Sequence, residues 1–364
     1  MNRGSFVLQL SAVVLAAGLL QTPHAKAAEG LPDYTPHPVP AGVIRVYGSD
    51  LNGLVAGWER DFSRLHPEVR FQSKYASSDG WSAGMEADDD EIGTSGREPV
   101  LTEYLSFDET FGYNPTEIAV ATGAYDKKGK TWAEIIYVNK SNPLTHLTMS
   151  QLDGIFGSER SGGYKGYEWM PEYARGADKN IRTWGQLGLT GKWANEPIQT
   201  YGYADTGMTN FFQLEVFHGG DKWNPNYRQY VEYGTKMISS GPIGQTGSIK
   251  YMLVRELARN PYGIAWTGIP HAADVPQVKP LSIAADAGGP YVFPTRETVQ
   301  NRTYPLTRSV YMFLNRAPGK PLSPQVKEFM RFVLSRRGQQ DVVRLGSYLP
   351  LTAAFAREQL RKLD

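Results

Sequence analysis

Residues 44–87 alternate between two hydrophobic periods, and this alternation limits the possible folds more than any other feature of the chain. Residues 44–47 and 69–75 alternate between apolar and polar side chains, as a half-buried strand does. Residues 51–65 carry apolar side chains at helical spacing, and residues 81–87 predict a second, shorter helix. The order strand, helix, strand, helix is typical of a parallel sheet with crossover helices, so we predict an α/β fold.

The rest of the chain predicts a second α/β unit. Strand patterns occur at residues 117–121, 133–138, 198–203 and 262–266, and helical patterns at 148–156 and 206–217. A chain of 364 residues also exceeds the usual size of a single core. We place the first lobe at residues 42–120 and 268–364, and the second at 121–267 with a surface insertion at about 160–197. Two crossings between two lobes form a hinge around a cleft.

The N-terminus predicts export. Arg3 precedes an apolar stretch at residues 6–20, and Ala25-Lys26-Ala27 has the small residues of a cleavage site. The alternative is a membrane anchor, but the apolar stretch is shorter than the ~20 residues of a transmembrane helix. We therefore expect residues 1–27 to be a cleaved signal peptide and residues 28–41, with four prolines, to be an extended lead-in. The mature protein is expected in the periplasm or secreted.

Charge and cysteine content exclude several classes of protein. The formal net charge is +1, and loss of Arg3 and Lys26 with the signal peptide leaves −1. A nearly neutral protein is not a general binder of nucleic acids or of anionic membranes. The chain contains no cysteine, so it has neither disulfides nor a lipid attached through cysteine. We expect a monomer without a cofactor.

Three loops each join a predicted strand to the start of a helix and carry hydroxyl side chains. They lie at residues 48–51, 76–81 and 204–209. In open α/β sheets, ligands bind beyond the carboxyl ends of the strands, where unpaired N–H groups and the helix dipole favour an anion. Ordinary helix capping explains each loop equally well when it is taken alone. Together the three loops indicate an anion site.

Several motifs occur in an order that is specific to one family. They are Glu91-Ile92-Gly93 followed by Ser95-Gly96-Arg97-Glu98, then Val138-Asn139-Lys140-Ser141-Asn142-Pro143, then Leu152-Asp153-Gly154-Ile155-Phe156, and finally Tyr304-Pro305-Leu306, Ser335-Arg336-Arg337-Gly338-Gln339 and Gly346-Ser347-Tyr348-Leu349-Pro350-Leu351. This order resembles the solute-binding proteins of phosphate ABC transporters, which are type II periplasmic binding proteins. The resemblance covers nearly all of residues 43–355. It implies two hinged lobes, each a mixed sheet flanked by helices, that capture inorganic phosphate and deliver it to a transporter permease.

The resemblance also implies a set of ligand contacts. They are Ser49, Asp50 and Leu51 in the first loop, Ser77 in the second, Ser95, Gly96 and Arg97 in the segment after Gly93, and Asp205, Thr206, Gly207 and Met208 at the start of the second-lobe helix. Thr206 keeps the hydroxyl of the family's motif, and Gly207 keeps its close backbone approach. Met208 lacks the last hydroxyl, which Thr209 is expected to replace.

Two positions depart from the family pattern. Gly202 stands where the family usually has an arginine that pairs with phosphate. Gly96 stands where many members have an aspartate, which accepts the proton of phosphate and so excludes sulfate. Arg97 is a candidate for the missing charge, and the alternative for it is a surface ion pair with Glu98 or Asp108. The candidates for the missing acceptor are Asp50, Asp79 and Asp205.

No catalytic or metal-binding motif occurs in the sequence. There is no Gly-x-Ser-x-Gly or His-Glu-x-x-His motif and the histidines are scattered, so we predict neither an enzyme nor a metal site. The acidic residues 88–90 are more typical of a solvated helix end than of a cation site. Two alternative functions stay open. One is the same fold binding another oxyanion or an organic phosphate, and the other is a secreted adhesion protein that uses the aromatic-rich insertion.

Overall fold

Two mixed five-stranded sheets form the framework of the molecule and confirm the predicted α/β fold. The computed structural model describes residues 30–88, 91–127, 131–204, 206–230 and 249–364. In chain order the strands are β1 (Gly42–Gly48), β2 (Val69–Tyr75), β3 (Ile92–Ser95), β4 (Thr116–Thr122), β5 (Ile135–Asn139), β6 (His146–Thr148), β7 (Gly163–Lys165), β8 (Glu168–Met170), β9 (Gln199–Tyr203), β10 (Arg228–Tyr230), β11 (Gly263–Thr267), β12 (Val278–Pro280), β13 (Ser282–Ala284) and β14 (Ser309–Leu314).

Helices cover the faces of these sheets, and several begin at the caps that the sequence indicates. Thr148 accepts a hydrogen bond from the Gln151 N–H and so caps the predicted helix of the second lobe. The helices are α1 (Leu54–Ser63), α2 (Trp81–Asp88), α3 (Leu101–Phe111), α4 (Met149–Phe156), α5 (Thr206–Phe217), α6 (Ile249–Arg259), α7 (Ile269–Ala272), α8 (Arg296–Gln300), α9 (Pro324–Val333), α10 (Arg336–Leu345) and α11 (Ala353–Arg361). Short 3₁₀ helices lie at Ser78–Gly80, Pro171–Tyr173, Ala177–Lys179, Trp184–Leu187 and Gly191–Trp193.

The first sheet has the strand order β2-β1-β3-β14-β4. Strand β1 is parallel to β2, with Gly42 opposite Val69, and parallel to β3, with Val46 opposite Ile92. Strand β14 is antiparallel to β3 and β4. Parallel strands end at the same edge of a sheet, so the loops after β1, β2 and β3 come together there.

The second sheet has the strand order β10-β9-β11-β5-β12. Strand β9 is parallel to β10 and β11, whereas β5 is antiparallel to β11 and β12. Two small sheets pair β6 with β13 and β7 with β8. Strand β9 leads into α5, so the N-terminus of that helix lies at the carboxyl edge of the second sheet.

Each sheet has its own aromatic core. In the first, the ring of Phe62 meets those of Phe329 and Phe332 edge to face, at centroid distances of 5.3 and 5.7 Å. In the second, Phe212 stacks on Trp266 at 5.1 Å. Buried aromatic area of this kind stabilises a chain that has no disulfides.

The chain passes between the two cores at two places. Ala124 belongs to the first core and Trp132 to the second. Leu306 belongs to the second core, and Val310 returns to the first. The sequence places this return near residue 268, but β12 pairs with β5 in the second sheet. We therefore propose that the second lobe continues to about residue 306.

The two crossing segments are hydrogen-bonded to each other. The Gly123 N–H donates to the Arg308 carbonyl at 2.8 Å, and the Glu134 N–H donates to the Leu306 carbonyl at 3.0 Å. Side-by-side segments at the only covalent links between two lobes are the usual place for a hinge. We propose residues 123–134 and 306–308 as the hinge.

The N-terminal predictions fall partly beyond what the structure describes. The expected signal peptide at residues 1–27 lies outside the described residues. Residues 30–41 of the lead-in contain no helix or strand, and Leu31 packs into the first core. Within the described ranges, no helix combines the length and the apolar character needed to cross a membrane.

Candidate functional site between the two sheets

The loop after β1 adopts backbone conformations that few residues accept. Gly48 has a φ of 132°, and a Cβ there would lie 2.1 Å from the Thr94 carbonyl oxygen, so only glycine fits. Leu51 and Asn52 are left-handed, with φ of 49° and 62°, which delays the start of α1 to Leu54. The helical start expected at residue 51 is therefore wrong.

Polar groups of this first loop mostly bind the loop itself. The Ser49 Oγ accepts a hydrogen bond from the Leu51 N–H at 3.1 Å, and the Asp50 Oδ1 accepts one from the Ala56 N–H at 2.9 Å. A carboxylate that satisfies the first turn of a helix is a cap. Asp50 is thus already used, and Leu51 is buried in the first core.

The second loop contacts the segment after β3 through Ser78 rather than Ser77. Ser77 is exposed, and its Oγ accepts a hydrogen bond from the Asp79 N–H at 3.2 Å. The Ser78 Oγ accepts one from the Gly96 N–H at 2.9 Å. Ser95 is buried next to Gly96. The structure therefore brings Ser78, Ser95 and Gly96 together, and leaves the expected Ser77 at the surface.

Gly96 is closely surrounded. A Cβ at this position would lie 3.2 Å from the Thr131 Oγ1 and 3.4 Å from the Ser78 Oγ. Thr131 belongs to the hinge segment, and its hydroxyl donates to the Gly96 carbonyl. Of the acceptors expected to replace an aspartate here, Asp50 is a helix cap, Asp79 binds an arginine, and Asp205 lies outside the described residues.

Arg97 is buried and holds two carboxylates. Its Nη1 and Nη2 donate to the two carboxylate oxygens of Glu103 at 2.9 and 2.7 Å, and its Nε donates to the Asp79 Oδ1 at 2.7 Å. Burial lowers the pKa of Arg97, but these carboxylates raise it further, so the net shift of the pKa is upward. The ion-pair alternative is thus found, but with Glu103 and Asp79 rather than with Glu98 or Asp108.

The N-terminus of α5 faces Arg97 from the second lobe. A Cβ on Gly207 would lie 3.4 Å from the Cβ and the Cδ of Arg97. The close backbone approach of Gly207 to a ligand stays a prediction. The side chain of Thr206 lies outside the described part of the chain, so its hydroxyl stays a prediction.

The residues after Gly207 do not supply the missing hydroxyl. Met208 is buried. The Thr209 hydroxyl donates to the Tyr203 carbonyl at 2.8 Å, so its hydrogen is not available to a ligand. The Asn210 Nδ2 instead donates to the Glu98 carbonyl at 3.2 Å, and this bond links α5 to the first lobe.

A second buried arginine, Arg308, also contacts both lobes. Its Nη2 donates to the Glu98 Oε2 at 2.6 Å and to the Gly207 carbonyl at 2.9 Å, and its Nε donates to the Glu98 Oε2 at 3.2 Å. The guanidinium carbon lies 5.2 Å from the ring centroid of Phe211 in α5. No described residue accepts a hydrogen bond from its Nη1 group. That group remains available to an anion between the lobes.

Glu134, in the other hinge segment, is a fully buried carboxyl near Arg308. Its backbone carbonyl accepts a hydrogen bond from the Tyr304 hydroxyl at 3.1 Å. Neither carboxyl oxygen has a hydrogen-bond partner among the residues described. Burial raises the pKa of Glu134 well above its ordinary value, although the charge of Arg308 opposes the shift. The neutral, protonated form is therefore favoured.

Sequence reasoning missed Arg308 and Glu134, although both carry a readable signal. Arg308 directly precedes the mostly apolar strand pattern of residues 309–314, and Glu134 stands directly before Ile135 in an apolar run. Charged residues are rarely fully buried unless they are paired or functional. Charges inside buried strand patterns therefore mark candidates that motif matching overlooks.

The absence of an arginine at residue 202 has a steric cause. A Cβ on Gly202 would lie 2.1 Å from the Tyr227 hydroxyl oxygen and 2.3 Å from the Trp266 indole nitrogen. No side chain fits there unless both rings move. The cation of this site must therefore come from another position.

Metal chemistry finds no support in the described ranges. They contain no group of three or more His, Cys, Asp or Glu side chains that could hold a metal ion. The buried His66 binds the Tyr34 hydroxyl at 2.6 Å, and His271 binds the Thr267 hydroxyl at 3.0 Å. These two histidines have structural hydrogen bonds.

The structure has two α/β lobes joined by paired crossing segments, and a helix N-terminus in one lobe faces buried arginines. Two lobes joined in this way have the fold of the periplasmic binding proteins. The family model described as the PBP superfamily domain matches residues 133–337. The chain is 32% identical over 335 residues to the phosphate-binding protein PstS of Pseudomonas aeruginosa, which covers 92% of this chain and 90% of that protein. The chain thus belongs to the family of PstS phosphate-binding proteins of the PBP superfamily.

More distant relatives agree with this assignment. Protein SphX of Synechococcus elongatus is 24% identical over 238 residues, which cover 62% of this chain and 58% of that protein. The crystal structure of PstS from Borrelia burgdorferi superposes with a TM-score of 0.52 at 14% identity, over 85% of this chain and 99% of that one. At this identity the second comparison supports the fold alone.

Proposed function

We propose that the protein captures inorganic phosphate between its two lobes and delivers it to the permease of an ABC transporter. The observation that carries this proposal is the N-terminus of α5, where Gly207 lies against Arg97 and its carbonyl binds Arg308. Unpaired N–H groups at a helix start and a desolvated guanidinium both favour an anion. The relative from Pseudomonas aeruginosa is itself named as a phosphate-binding protein.

The proposed contacts differ from those expected from the sequence. We assign the cation to Arg308 and the second-loop hydroxyl to Ser78, because Ser77 is exposed and Gly202 has no room for a side chain. The N–H groups at Gly207 and Met208 complete the site from the second lobe. Ser49, Asp50, Leu51, Ser95, Gly96 and Arg97 shape the opposite wall, and Asp205 and Thr206 stay expected contacts.

The protein acts by binding and release, without catalysis or a cofactor. The described side chains around Gly207 are donors and ion pairs, and none forms the nucleophile–base pair that covalent catalysis needs. Closure of the lobes presents the loaded form to the permease. The mature protein works as a monomer in the periplasm, after removal of residues 1–27.

Titration calorimetry of the mature chain with inorganic phosphate at near-neutral pH tests the proposal. We expect one binding site per chain, a rise in Tm, and weaker binding of sulfate at equal concentration. A protein that gives neither heat nor a thermal shift at millimolar phosphate overturns it. A variant with Gly207 replaced by Leu, which crowds Arg97, should bind phosphate weakly while the two lobes stay folded.

A second candidate is the same receptor with another oxyanion as its ligand. The supporting observation is Gly96, which offers no side-chain acceptor to a protonated phosphate oxygen. Equal competition by sulfate favours this reading. The adhesion alternative has less support, since Trp184 and Trp193 of the insertion are buried in the second core and only Trp169 is exposed.

A further inference from the structure

Glu134 is a buried carboxyl for which the fold provides no partner. Its side chain is fully buried, and both carboxyl oxygens lack a hydrogen-bond partner among the described residues. A buried polar group without a partner normally costs free energy, so its presence requires an explanation. Arg308 lies close enough to influence it electrostatically, but the guanidinium donates to Glu98 instead. The missing partner is therefore not supplied by the nearest cation.

The backbone of Glu134 lies beside the segment that carries Arg308. The Glu134 N–H binds the Leu306 carbonyl, two residues before Arg308. On the other side, Glu134 lies close enough to Tyr203 to contribute to the raised pKa of that phenol. Tyr203 ends β9 and accepts a hydrogen bond from Thr209 of α5. Glu134 is thus close to Arg308 and to the strand that leads to Gly207.

Burial favours the neutral form of Glu134, and the charged and titratable groups around it act in both directions. They come from one hinge segment, from the first lobe and from the second lobe, and they are Arg308, Glu98, Glu215, Tyr203, Tyr227 and Tyr304. Arg308 is the only cation among these six, and Glu98 neutralises it. An ionised Glu134 would add a second negative charge next to the proposed anion, whereas a protonated one adds a donor.

We propose that Glu134 is a ligand residue that donates a hydrogen bond from its protonated carboxyl to the bound oxyanion. The inference rests on the proposed function and adds to it a residue and a pH response. In the loaded state the anion supplies the acceptor that the O–H group of this carboxyl lacks among the described residues. When the carboxyl loses its proton, the donor becomes a repelling charge and the anion is released.

The sign of the pH response follows from this linkage. Below the folded-state pKa of Glu134 the carboxyl is neutral and phosphate binds fully. Above it, the affinity of the wild type falls about tenfold for each pH unit, because binding then requires uptake of one proton. Phosphate has its own titration, but the ratio of two dissociation constants measured at the same pH cancels it.

The test compares the wild type with Glu134→Gln, which keeps the size of the side chain and a neutral donor. Calorimetry with inorganic phosphate should give Kd values within about threefold of each other at the acid end of the range. At the alkaline end, Glu134→Gln should bind at least about tenfold more tightly than the wild type. A constant ratio of the two Kd values between about pH 5.5 and about pH 9 overturns the inference and leaves the proposed function intact.

Glu215→Gln is the matched control, because Glu215 lies on α5 and its pKa is also raised, to about 7, by surroundings that disfavour its charged form. The control should keep the wild-type pH dependence. If it removes that dependence and Glu134→Gln does not, the inference fails. If none of the three proteins binds phosphate at any pH, the proposed function fails and the inference with it.

Direct titration of the Glu134 carboxyl distinguishes a ligand role from a purely structural one, because a purely structural role predicts no change in its pKa when phosphate binds. The ¹³C shift of the Glu134 carboxyl, assigned by its loss in Glu134→Gln, reports its protonation. Saturating phosphate should raise the pKa of this carboxyl, because the anion binds the protonated form more tightly. A pKa that stays unchanged or falls when phosphate binds contradicts the inference.

Discussion

Two buried arginines lie at the cleft, and they differ in what they connect. Arg97 binds Glu103 and Asp79, both of which belong to the first lobe. Arg308 lies in the hinge and contacts the first lobe through Glu98 and the second through the Gly207 carbonyl. Burial of a guanidinium is therefore no guide to its role, since one arginine stabilises a single lobe and the other bridges two.

The two arginines also differ in how far their charges are compensated by carboxylates. Arg97 has two carboxylates and a backbone carbonyl as acceptors, so an anion would find most of its donors occupied. Arg308 has one carboxylate, and its Nη1 group has no acceptor within the described chain. We infer that Arg97 positions the loops while Arg308 provides charge to the ligand.

The largest expected effect follows from Arg308→Met. This change leaves Glu98 buried and unpaired, so the free energy of unfolding should fall by about 3–5 kcal/mol. Loss of a charge-assisted donor should weaken phosphate binding about 100-fold. Urea unfolding and calorimetry measure the two effects. Arg308→Lys keeps the charge but lacks the planar guanidinium, so its free energy of unfolding and its phosphate affinity should lie between those of the wild type and of Arg308→Met. An unchanged phosphate affinity in Arg308→Met refutes the assignment of Arg308 as the ligand's cation.

Arg97→Met should lower stability with a smaller effect on binding. Glu103 keeps the hydrogen bond from the Val100 N–H at 2.9 Å, and Asp79 is exposed, so the free energy of unfolding should fall by about 2–3 kcal/mol. The phosphate Kd should rise less than about tenfold, because this arginine acts through the loops. The same urea and calorimetric measurements apply, and a loss of affinity larger than that of Arg308→Met reverses the comparison.

Neutralising Glu98 and Glu103, the acidic partners of the two arginines, distinguishes the roles of Arg308 and Arg97 through a smaller change in phosphate affinity. Glu98→Gln removes a negative charge next to the anion and frees donors of Arg308, so phosphate should bind roughly fivefold more tightly. Glu103→Gln, its matched control, should change the Kd less than about twofold, since Arg97 does not provide the ligand's charge. Calorimetry at one pH compares the two variants. Tighter binding in Glu103→Gln alone would show that Arg97 is the cation of the site.

The smallest effect concerns pH and stability, again on the Arg308 side. The folded-state pKa of Glu134 is raised by burial, so the folded protein holds a proton that the unfolded chain releases above about pH 4.5. Its contribution to stability therefore falls as pH rises from there towards the folded-state pKa. Urea unfolding without phosphate at about pH 5 and about pH 8 should show a smaller loss for Glu134→Gln than for the wild type. Equal losses in the two proteins would mean that this carboxyl is not protonated in the fold.

Much of the fold was predictable because its signals are local. The helix at 148–156 and its Thr148 cap, and the helix that begins at 206, follow from periodicity and capping within a few residues. The start of α1 was not predictable in this way. Three left-handed residues precede Leu54, and the contact of Gly48 with Thr94 that shapes this loop spans two strands.

The site was only partly predictable, for a similar reason. Gly207 was identified from a motif at a helix start, and the structure places it against Arg97, a contact that the motif did not predict. We assign Ser78 in place of Ser77 because the twist of a short 3₁₀ helix decides which hydroxyl faces Gly96. The return of the chain that we propose at about residue 306 could not be predicted either, because only the pairing of β12 with β5 assigns β12 to the second sheet.

The sequence by itself determined the two α/β units, the glycine and hydroxyl residues at the helix starts, and the family. These depend on periodicity, capping and motif order, which act over short stretches of chain. Only the tertiary structure decided which arginine is left with a free donor, that Gly202 admits no side chain, and that Glu134 is buried without a partner. Arg308 meets Glu98 across 210 residues of chain, and the free energy of a buried charge depends on such distant partners rather than on its neighbours in sequence.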